Sequence, residues 1–281
     1  MGKVERRLVS VNGLRMGVTL YGEEHVRQQV LVLLHGFTGS SMNWADLLPG
    51  LTVPGRWLIA LDMAGHGQSG APVEQERYTI EHCRADILAV LETLGVYPGE
   101  AILLGYSMGG RIALYTAFSG FFRALILESA SPGLADVAER EQRRQSDNAL
   151  AARIEREGVK AFIDYWESLP LFASQNNLPP ETRARLRAQR LDNRAVGLAN
   201  SLRGVGTGVQ PSLYGQLGAF TMPVLLLAGE LDGKFCQIAR QMAASLPRAS
   251  LQIVSGAGHT THLEQPDMFV RLVNEFCQAV C

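Results

Sequence analysis

The strongest constraint on the fold of this chain is a serine enclosed by glycines between a strand-like run and a helix-like run. Residues 105–109 read G-Y-S-M-G, and Gly110 follows directly. The apolar run 101–104 precedes this motif, and a helical pattern over 111–115 follows it. A sharp strand-to-helix turn strains the backbone of the serine, and glycines let neighbouring backbone approach closely. The pattern predicts that Ser107 is presented at a helix N-terminus, where the helix dipole favours negative charge.

Short apolar runs alternate with helical patterns along most of the chain. The predicted strands are 30–34, 58–61, 101–104, 125–127, 224–227 and 251–254. Runs that are apolar on both sides are typical of parallel strands buried on both faces of a sheet. Between them, 80–94 and 109–118 have helical spacing, and an Asn-Gly turn predicts a leading hairpin with strands at 7–11 and 14–21. This alternation predicts an α/β fold with a mostly parallel sheet flanked by helices.

The alternation stops between about Gly133 and Gly215. We find no strand pattern there, and the predicted helices are 135–157, 159–168, 180–192 and 194–204. The sequence therefore predicts a helical cap inserted into the sheet domain. In this interpretation the cap covers 133–215, and the core consists of 1–132 and 216–281.

Charge and composition narrow the class of protein. The formal net charge is −1, which gives no support for nucleic acid or a membrane surface as a partner. No apolar run approaches the roughly 20 residues of a membrane span, and the charged N-terminus lacks a signal-peptide pattern. The four cysteines have no metal-ligand spacing, and Cys277 and Cys281 are expected on one helix face rather than in a disulfide. We expect a protein of the reducing cytoplasm.

A catalytic serine needs an imidazole within hydrogen-bond reach and an acid to orient that imidazole. Asp232 follows the predicted strand 224–227, and His259 follows the strand 251–254 behind a Gly-Ala-Gly loop. Loops at the carboxyl ends of parallel strands build the site of an open α/β sheet. We therefore predict a triad of Ser107, His259 and Asp232.

Other residues compete for two places in this triad. His262 also follows the last strand, although we expect it to neighbour the site at the start of the next helix. Glu230 and Glu128 are alternatives to Asp232, and Glu128 also stands at the end of a predicted strand. The position of His259 behind the Gly-Ala-Gly loop favours it over His262, and Asp232 is the favoured acid.

The segment 35–39 (H-G-F-T-G) follows the first core strand and predicts an oxyanion hole. The backbone N–H of Phe37 would act together with that of Met108 on a developing negative oxygen. His35 is expected to brace this loop rather than to react. The tight loop 62–69 is expected to be structural at the edge of the site.

With these elements in this order, the chain resembles the α/β-hydrolase superfamily over nearly its whole length. More narrowly, it resembles the 2-succinyl-6-hydroxy-2,4-cyclohexadiene-1-carboxylate synthases, which are lyases of menaquinone biosynthesis. The segments that carry the likeness are 34–39, 105–111, 132–134, 143–147, 165–166, 170–174, 210–213, 229–235 and 257–259. The cap segments and the G-E-L-D-G-K-F segment are more specific than the serine motif.

The resemblance implies a small anionic substrate with three carboxylates and no metal or organic cofactor. It places the family's substrate arginines on Arg111, Arg143 and Arg190, and its other substrate residues on Tyr106 and Trp166. Arginine suits this task because its planar fork grips a carboxylate through two hydrogen bonds. Arg111 lies one helical turn after the serine and so on the same face. Arg144 is the alternative to Arg143 if the register shifts by one.

Two other functions stay open on the sequence alone. The same triad would serve a serine hydrolase, such as an esterase, an enol-lactonase or a carbon–carbon bond hydrolase. A binding module of this fold without catalysis is a third class, which commonly lacks triad members that this chain retains. The sequence does not predict an oligomeric state.

Overall fold

One mixed sheet organises the fold. The computed structural model describes residues 4–22, 24 and 27–280, so the expectation for Cys281 lies outside the described residues. Within them, the strand order is β1-β2-β4-β3-β5-β6-β7-β8. The strands are β1 Val4–Val11, β2 Leu14–Tyr21, β3 Gln29–Leu34, β4 Arg56–Leu61, β5 Ala101–Tyr106, β6 Ala124–Glu128, β7 Val224–Gly229 and β8 Ala249–Val254.

The prediction of a mostly parallel sheet is confirmed. Strands β1 and β2 form the leading hairpin, and β2 pairs antiparallel with β4. All other neighbouring pairs, from β4 through β3 to β8, run parallel. Their carboxyl ends therefore meet at one edge of the sheet, where the loops after β3, β5, β7 and β8 can build a shared site.

Burial separates the central strands from the last one. Every residue of β3, β4, β6 and β7 is buried, as expected of parallel strands covered on both faces. The same expectation was wrong for β8, which alternates half-buried and exposed residues up to the buried Val254. The reason is its place at the edge of the sheet, where β7 is its one neighbour among the described strands.

Helices cover the sheet and fill the interval between β6 and β7. They are α1 Leu48–Leu51, α2 Ile80–Thr93, α3 Met108–Ala117, α4 Val137–Glu167, α5 Pro180–Leu191, α6 Ala195–Val205, α7 Gly233–Ser245, α8 Thr261–Glu264 and α9 Pro266–Ala279. Short 3-10 helices occupy Ser41–Trp44, Gln75–Tyr78, Pro170–Asn177 and Tyr214–Ala219.

Between β6 and β7 the chain is helical and contains no strand. Two helices predicted in succession there form the single element α4, with a kink at Gly158, whose φ of 81° breaks the helical backbone. A separate apolar cluster joins α4 to α6 through Ile154, Phe162 and Leu198. A division into cap and core at 133 and 215 stays a prediction.

The cysteines within the described residues are all buried. Cys83 and Cys236 are buried free thiols, and Cys277 is also buried. Among the helices of the described residues, none combines the length and the apolar character that crossing a bilayer requires.

Candidate active site

Ser107 stands at the turn between β5 and α3 in a strained conformation. Its φ of 52° and ψ of −108° lie outside the regions that residues with a Cβ favour. A Cβ on Gly105 would lie 2.3 Å from the carbonyl oxygen of Gly109, and one on Gly109 would lie 2.4 Å from the carbonyl oxygen of Leu34. The glycines of the motif thus permit the tight turn that presents the serine.

The structure brings together the three side chains of the predicted triad. Ser107 Oγ lies 3.0 Å from His259 Nε2, and His259 Nδ1 lies 2.7 Å from Asp232 Oδ2. His259 and Asp232 are both buried. Asp232 Oδ1 also accepts the backbone N–H of Phe235 at 3.1 Å, which caps α7 and fixes the carboxylate. This geometry suits proton transfer between Ser107 and His259.

Neither alternative acid touches His259 in the structure. Glu128 is fully buried and accepts hydrogen bonds from Thr261 Oγ1 at 2.7 Å and from His262 Nδ1 at 2.8 Å. Glu230 is exposed and accepts from the hydroxyl of Ser255 at 2.8 Å. The alternative histidine, His262, is therefore paired with Glu128 and not with Asp232.

Phe37 and Met108 line the same cavity as Ser107. Met108 is the first residue of α3, and the amide of a first helical residue has no acceptor within its own helix. The loop before Phe37 is fixed by buried His35, whose Nδ1 lies 2.7 Å from the carbonyl oxygen of Gly36. His35 Nε2 accepts the N–H of Met63 at 3.0 Å.

The contact with Met63 requires neutral His35, because a protonated Nε2 could not accept a hydrogen bond. Burial supports this state, since it lowers the pKa of His35 to about 4. The histidine thus holds the loop that carries Phe37, as the sequence analysis expected.

Backbone strain concentrates around this cavity. Among the described residues other than glycine, four have positive φ, and three of them line the cavity: Thr38 at 68°, Ser107 at 52° and Ser129 at 47°. The fourth, Asn12, lies in the turn of the leading hairpin. Strain of this kind persists where the surrounding structure enforces it, commonly at functional sites.

The cavity has a volume of about 510 Å³ and is rich in cations. Arg111, Arg143 and Arg190, all three predicted from the resemblance, line it together with Ser107. Lys234, which the sequence analysis did not select, is a fourth lining cation. This charge suits a small anionic ligand.

Arg111 is oriented through one end of its guanidinium. Nη1 donates to the carbonyl oxygen of Val205 at 2.9 Å and to Gln210 Oε1 at 2.7 Å. Burial, and secondarily the charge of Arg143, lowers the pKa of Arg111 to about 10. The group is still charged at neutral pH, and an incoming carboxylate would relieve its unfavourable surroundings.

The structure also decides between the two neighbouring arginines of α4. Arg143 lines the cavity, and its Nε donates to Asp147 Oδ1 at 2.8 Å. Arg144 instead forms two hydrogen bonds of 2.8 Å with Glu141 on the exposed face of α4. The register that places Arg143 toward the site is the one observed.

Arg190 is the most enclosed of the predicted cations. Its Nη1 donates to Glu167 Oε1 at 2.9 Å and its Nη2 to Gln175 Oε1 at 3.0 Å. Its guanidinium carbon also lies 5.5 Å from the ring centre of Phe172. Arg190 therefore orders the side chains of Glu167 and Gln175 as well as adding positive charge to the cavity.

The two predicted aromatic residues, Trp166 and Tyr106, both line the cavity. Trp166 of α4 packs at centroid distances of 5.4 Å from both Phe37 and Phe172. Tyr106, at the end of β5, lies 5.5 Å from the ring of His259, and its hydroxyl lies 3.0 Å from Thr260 Oγ1. Trp166 thus joins α4 to the loop that carries Phe37.

Sequence reasoning missed several polar residues of the site. The spacing of Arg143 and Asp147, four residues apart on a helix, was a signal that could have revealed their pairing. Gln175 and Thr260 form part of one hydrogen-bond chain with Tyr106, and neither lies in a motif that carries chemistry by itself. Among the described residues, no cluster of three or more His, Cys, Asp or Glu side chains could hold a metal ion.

Comparison with known proteins places the chain in a family. The profile of the α/β hydrolase fold family matches residues 29–266. The 2-succinyl-6-hydroxy-2,4-cyclohexadiene-1-carboxylate synthase of Serratia proteamaculans (strain 568) is 37% identical over 249 residues, which are 88% of this chain and 92% of that protein. This chain belongs to the α/β-hydrolase fold family, among the synthases of that name.

Further relatives agree with this placement. A Bacillus subtilis (strain 168) protein, provisionally named for the same synthase, is 42% identical over 96% of this chain and 97% of its own length. The solved structure of MenH from S. aureus superimposes with a TM-score of 0.88 at 35% identity, covering 94% of this chain and 98% of that one. An enol-lactonase from Burkholderia xenovorans LB400 has a TM-score of 0.81 at 22% identity, a likeness of fold alone.

Proposed function

We propose that this chain is a lyase that eliminates pyruvate from an enolpyruvyl cyclohexene carboxylate. The product is 2-succinyl-6-hydroxy-2,4-cyclohexadiene-1-carboxylate, in menaquinone biosynthesis. The names of the relatives in Serratia and Citrobacter support this substrate class. The observation that carries the proposal is the union of a Ser–His–Asp array with three arginines in one cavity.

The reaction begins with removal of a proton from the cyclohexene ring. Ser107 Oγ takes this proton and passes its own to His259 Nε2, which lies 3.0 Å away. The carboxylate of Asp232, 2.7 Å from Nδ1, fixes the ring orientation and stabilises the imidazolium that forms. The serine therefore acts as a base, and no bond forms between Ser107 and the substrate carbon.

The electrons left by the proton move toward the conjugated carbonyl and give it enolate character. The amides of Phe37 and Met108 are the proposed donors to this developing oxygen. The enolate then reforms its carbonyl as the ring C–O bond breaks. The bonding electrons stay with the oxygen, so pyruvate leaves as its enolate, whose methylene carbon takes the proton from the imidazolium to give pyruvate, and no water is consumed.

The arginines account for binding of the carboxylates. The fork of Arg111 stands one helical turn from Ser107. Its hydrogen bonds to Val205 and Gln210 use Nη1, which, among the described residues, leaves Nε and Nη2 for a ligand. Arg143 and Arg190 enter from the cap, on α4 and α5. Closure of the cap over the substrate would exclude water and strengthen these contacts. The proposal includes a cytoplasmic location and a small anionic molecule as the ligand.

The runner-up is a serine hydrolase. The hydrogen bond between Ser107 and His259 would equally activate the serine as a nucleophile, and an esterase from Exiguobacterium antarcticum shares the fold at 22% identity. In that mechanism an acyl-enzyme forms on Ser107 and water releases it. The cationic cavity favours the lyase, because a simple ester presents no carboxylates to three arginines.

Incubation of the purified protein with the enolpyruvyl substrate separates the two functions. Pyruvate is followed with lactate dehydrogenase, and hydrolysis of a neutral aryl ester is followed in parallel. The lyase predicts rapid pyruvate release with little ester cleavage. Fast ester hydrolysis without any pyruvate release would contradict the proposal and support the hydrolase.

A further inference from the structure

A chain of hydrogen bonds runs from the cap to the side chain beside Ser107. Gln175, in the 3-10 helix Pro170–Asn177, places its Nε2 2.8 Å from Thr260 Oγ1. Thr260 directly follows His259, and its Oγ1 lies 3.0 Å from the hydroxyl of Tyr106. At the other end, Gln175 Oε1 faces Arg190 Nη2 at 3.0 Å. Gln175 and Thr260 are both buried.

Arg190 fixes the orientation of the side-chain amide of Gln175. A guanidinium has only donors, so the atom of Gln175 that faces Arg190 must be its carbonyl oxygen. The amino group of Gln175 therefore faces Thr260 and donates to Oγ1. The direction of the first two hydrogen bonds follows from the presence of Arg190 alone.

The direction of the third bond follows from Thr260. Its Oγ1 accepts from Gln175, and its own hydrogen then needs an acceptor, because a buried donor without a partner is costly. Within the described part of the chain, the oxygen of Tyr106 is the acceptor available to it. Tyr106 thus accepts from Thr260, and its own hydrogen is left for a ligand in the cavity that it lines.

We propose that Gln175 is a positioning residue that sets the direction of this chain, so that Tyr106 presents a hydrogen-bond donor to an anionic oxygen of the substrate. The inference rests on the proposed function for the identity of that substrate. Burial raises the pKa of Tyr106, so the phenol retains its proton near neutral pH. The chain also ties this donor to the cap, because Gln175 and Arg190 both belong to the segment between β6 and β7.

Gln175→Glu tests the direction with little change of shape. A carboxylate has only acceptors, so it would accept from Arg190 and also from Thr260. Thr260 Oγ1 would then accept the hydroxyl hydrogen of Tyr106, which is turned away from the ligand. We expect kcat/KM for pyruvate release to fall about 10- to 100-fold, the loss typical of a hydrogen bond to a charged group. Leucine forms no hydrogen bond with Thr260 and so does not impose a direction on the Thr260–Tyr106 hydrogen bond. Gln175→Leu should therefore lower kcat/KM less than Gln175→Glu.

Tyr106→Phe separates this effect from the added negative charge. It should lose as much activity as Gln175→Glu, and the double variant should lose little more than Tyr106→Phe alone. Gln241→Glu, an exposed position on α7, is the matched control for the charge and should behave as wild type. The proposal would be overturned if Gln175→Glu lowered kcat/KM by the same factor in wild type and in Tyr106→Phe. It would also be overturned if Gln175→Glu alone had the kcat/KM of wild type.

A readout that needs no turnover keeps this inference separate from the proposed function. The Raman bands of a phenol distinguish a hydroxyl that accepts a hydrogen bond from one that only donates. Subtracting the spectrum of the Tyr106→Phe counterpart isolates Tyr106, and we expect acceptor character in wild type and its loss in Gln175→Glu. Identical Tyr106 bands in both proteins would contradict the relay, whether or not wild type releases pyruvate.

Discussion

Arg143 Nε lies 2.8 Å from Asp147 Oδ1, which sets a carboxylate beside a cation in a cavity that Arg111, Arg190 and Lys234 also line. The Asp147 side chain is 5% exposed and that of Arg143 is 44% exposed. The second oxygen of Asp147, Oδ2, has no hydrogen-bond partner among the described residues. A carboxylate in this place would repel the ligand unless it served to aim Arg143 toward the cavity.

Asp147→Ala should therefore weaken substrate binding rather than improve it. Loss of the acceptor frees Arg143, and the partly exposed pair contributes on the order of 1 kcal/mol, so KM should rise about fivefold with a smaller change in kcat. Asp147→Asn, which retains an oxygen acceptor, should have a smaller effect. Steady-state kinetics of pyruvate release measures both; a lower KM for Asp147→Ala would mean that repulsion prevails.

Arg111→Ala should have a much larger effect. Removal of a carboxylate fork in the interior costs on the order of 2–4 kcal/mol, so kcat/KM should fall about 30- to 1,000-fold. Arg111→Lys should recover only part of the activity, because a point charge cannot form the two parallel hydrogen bonds.

The control for this prediction is Arg144→Ala, because Arg144 pairs with Glu141 outside the cavity. Its kcat/KM should stay within about twofold of wild type. Full recovery by Arg111→Lys, or equal losses at Arg111 and Arg144, would show that Arg111 acts only through net charge.

The choice of acid can be tested with two conservative variants. Asp232→Asn should lower kcat by on the order of 10³- to 10⁴-fold, since it disturbs the tautomer of His259. Glu128→Gln should retain most of the kcat at temperatures where it is folded, because Glu128 contacts Thr261 and His262 instead. Circular dichroism establishes folding before the kinetics. The reverse order of losses would assign the acid to Glu128.

The stability of the fold should decline in mild acid because of two buried histidines. Burial lowers the pKa of His35 to about 4 and that of His66 to about 3, below the value of 6.5 for an exposed ring. Between the folded-state pKa values and 6.5, the unfolded chain binds more protons than the folded one. The contribution of the two neutral histidines to the free energy of unfolding is therefore fully present above about pH 6.5 and is lost as pH falls. The free energy of unfolding should drop by on the order of 2 kcal/mol or more between about pH 7 and pH 5.

Urea unfolding across this pH range, with His35→Gln and His82→Gln as a pair, measures the contribution. His35→Gln should flatten the pH dependence, whereas His82→Gln, at an exposed position, should leave it as in wild type. Equal pH dependence in wild type and His35→Gln would refute this origin of the acid sensitivity.

Much of the fold was accessible to sequence reasoning because its signals are local and repeated. Strands such as 224–227 read as apolar on both sides because both faces are covered, and the glycines of 105–109 are required by contacts of the turn itself. The same rule failed for β8, because position within the sheet is set by long-range order and not by the strand. The predicted helices 135–157 and 159–168 meet at the kink in α4, because the positive φ of Gly158 interrupts the helical backbone.

Some residues of the site could be predicted from the sequence and others could not. Ser107, Asp232 and His259 follow strand signals that put them on one edge of the sheet, so their convergence could be predicted. Gln175 and Thr260 are 85 residues apart, and their contact depends on how the segment between β6 and β7 packs against the loop after β8. A buried amide or hydroxyl has no pattern of its own, so its role becomes visible only in three dimensions.

The central claim is that Ser107 acts as the base in pyruvate elimination, and Ser107→Ala tests it most directly. Single-turnover pyruvate release is measured for wild type, Ser107→Ala and His259→Ala, with the substrate bound at saturating enzyme. We expect rapid release from wild type and a loss on the order of 10³-fold or more in each variant, because the two residues act as one unit. Pyruvate release from Ser107→Ala at the rate of wild type would contradict the account.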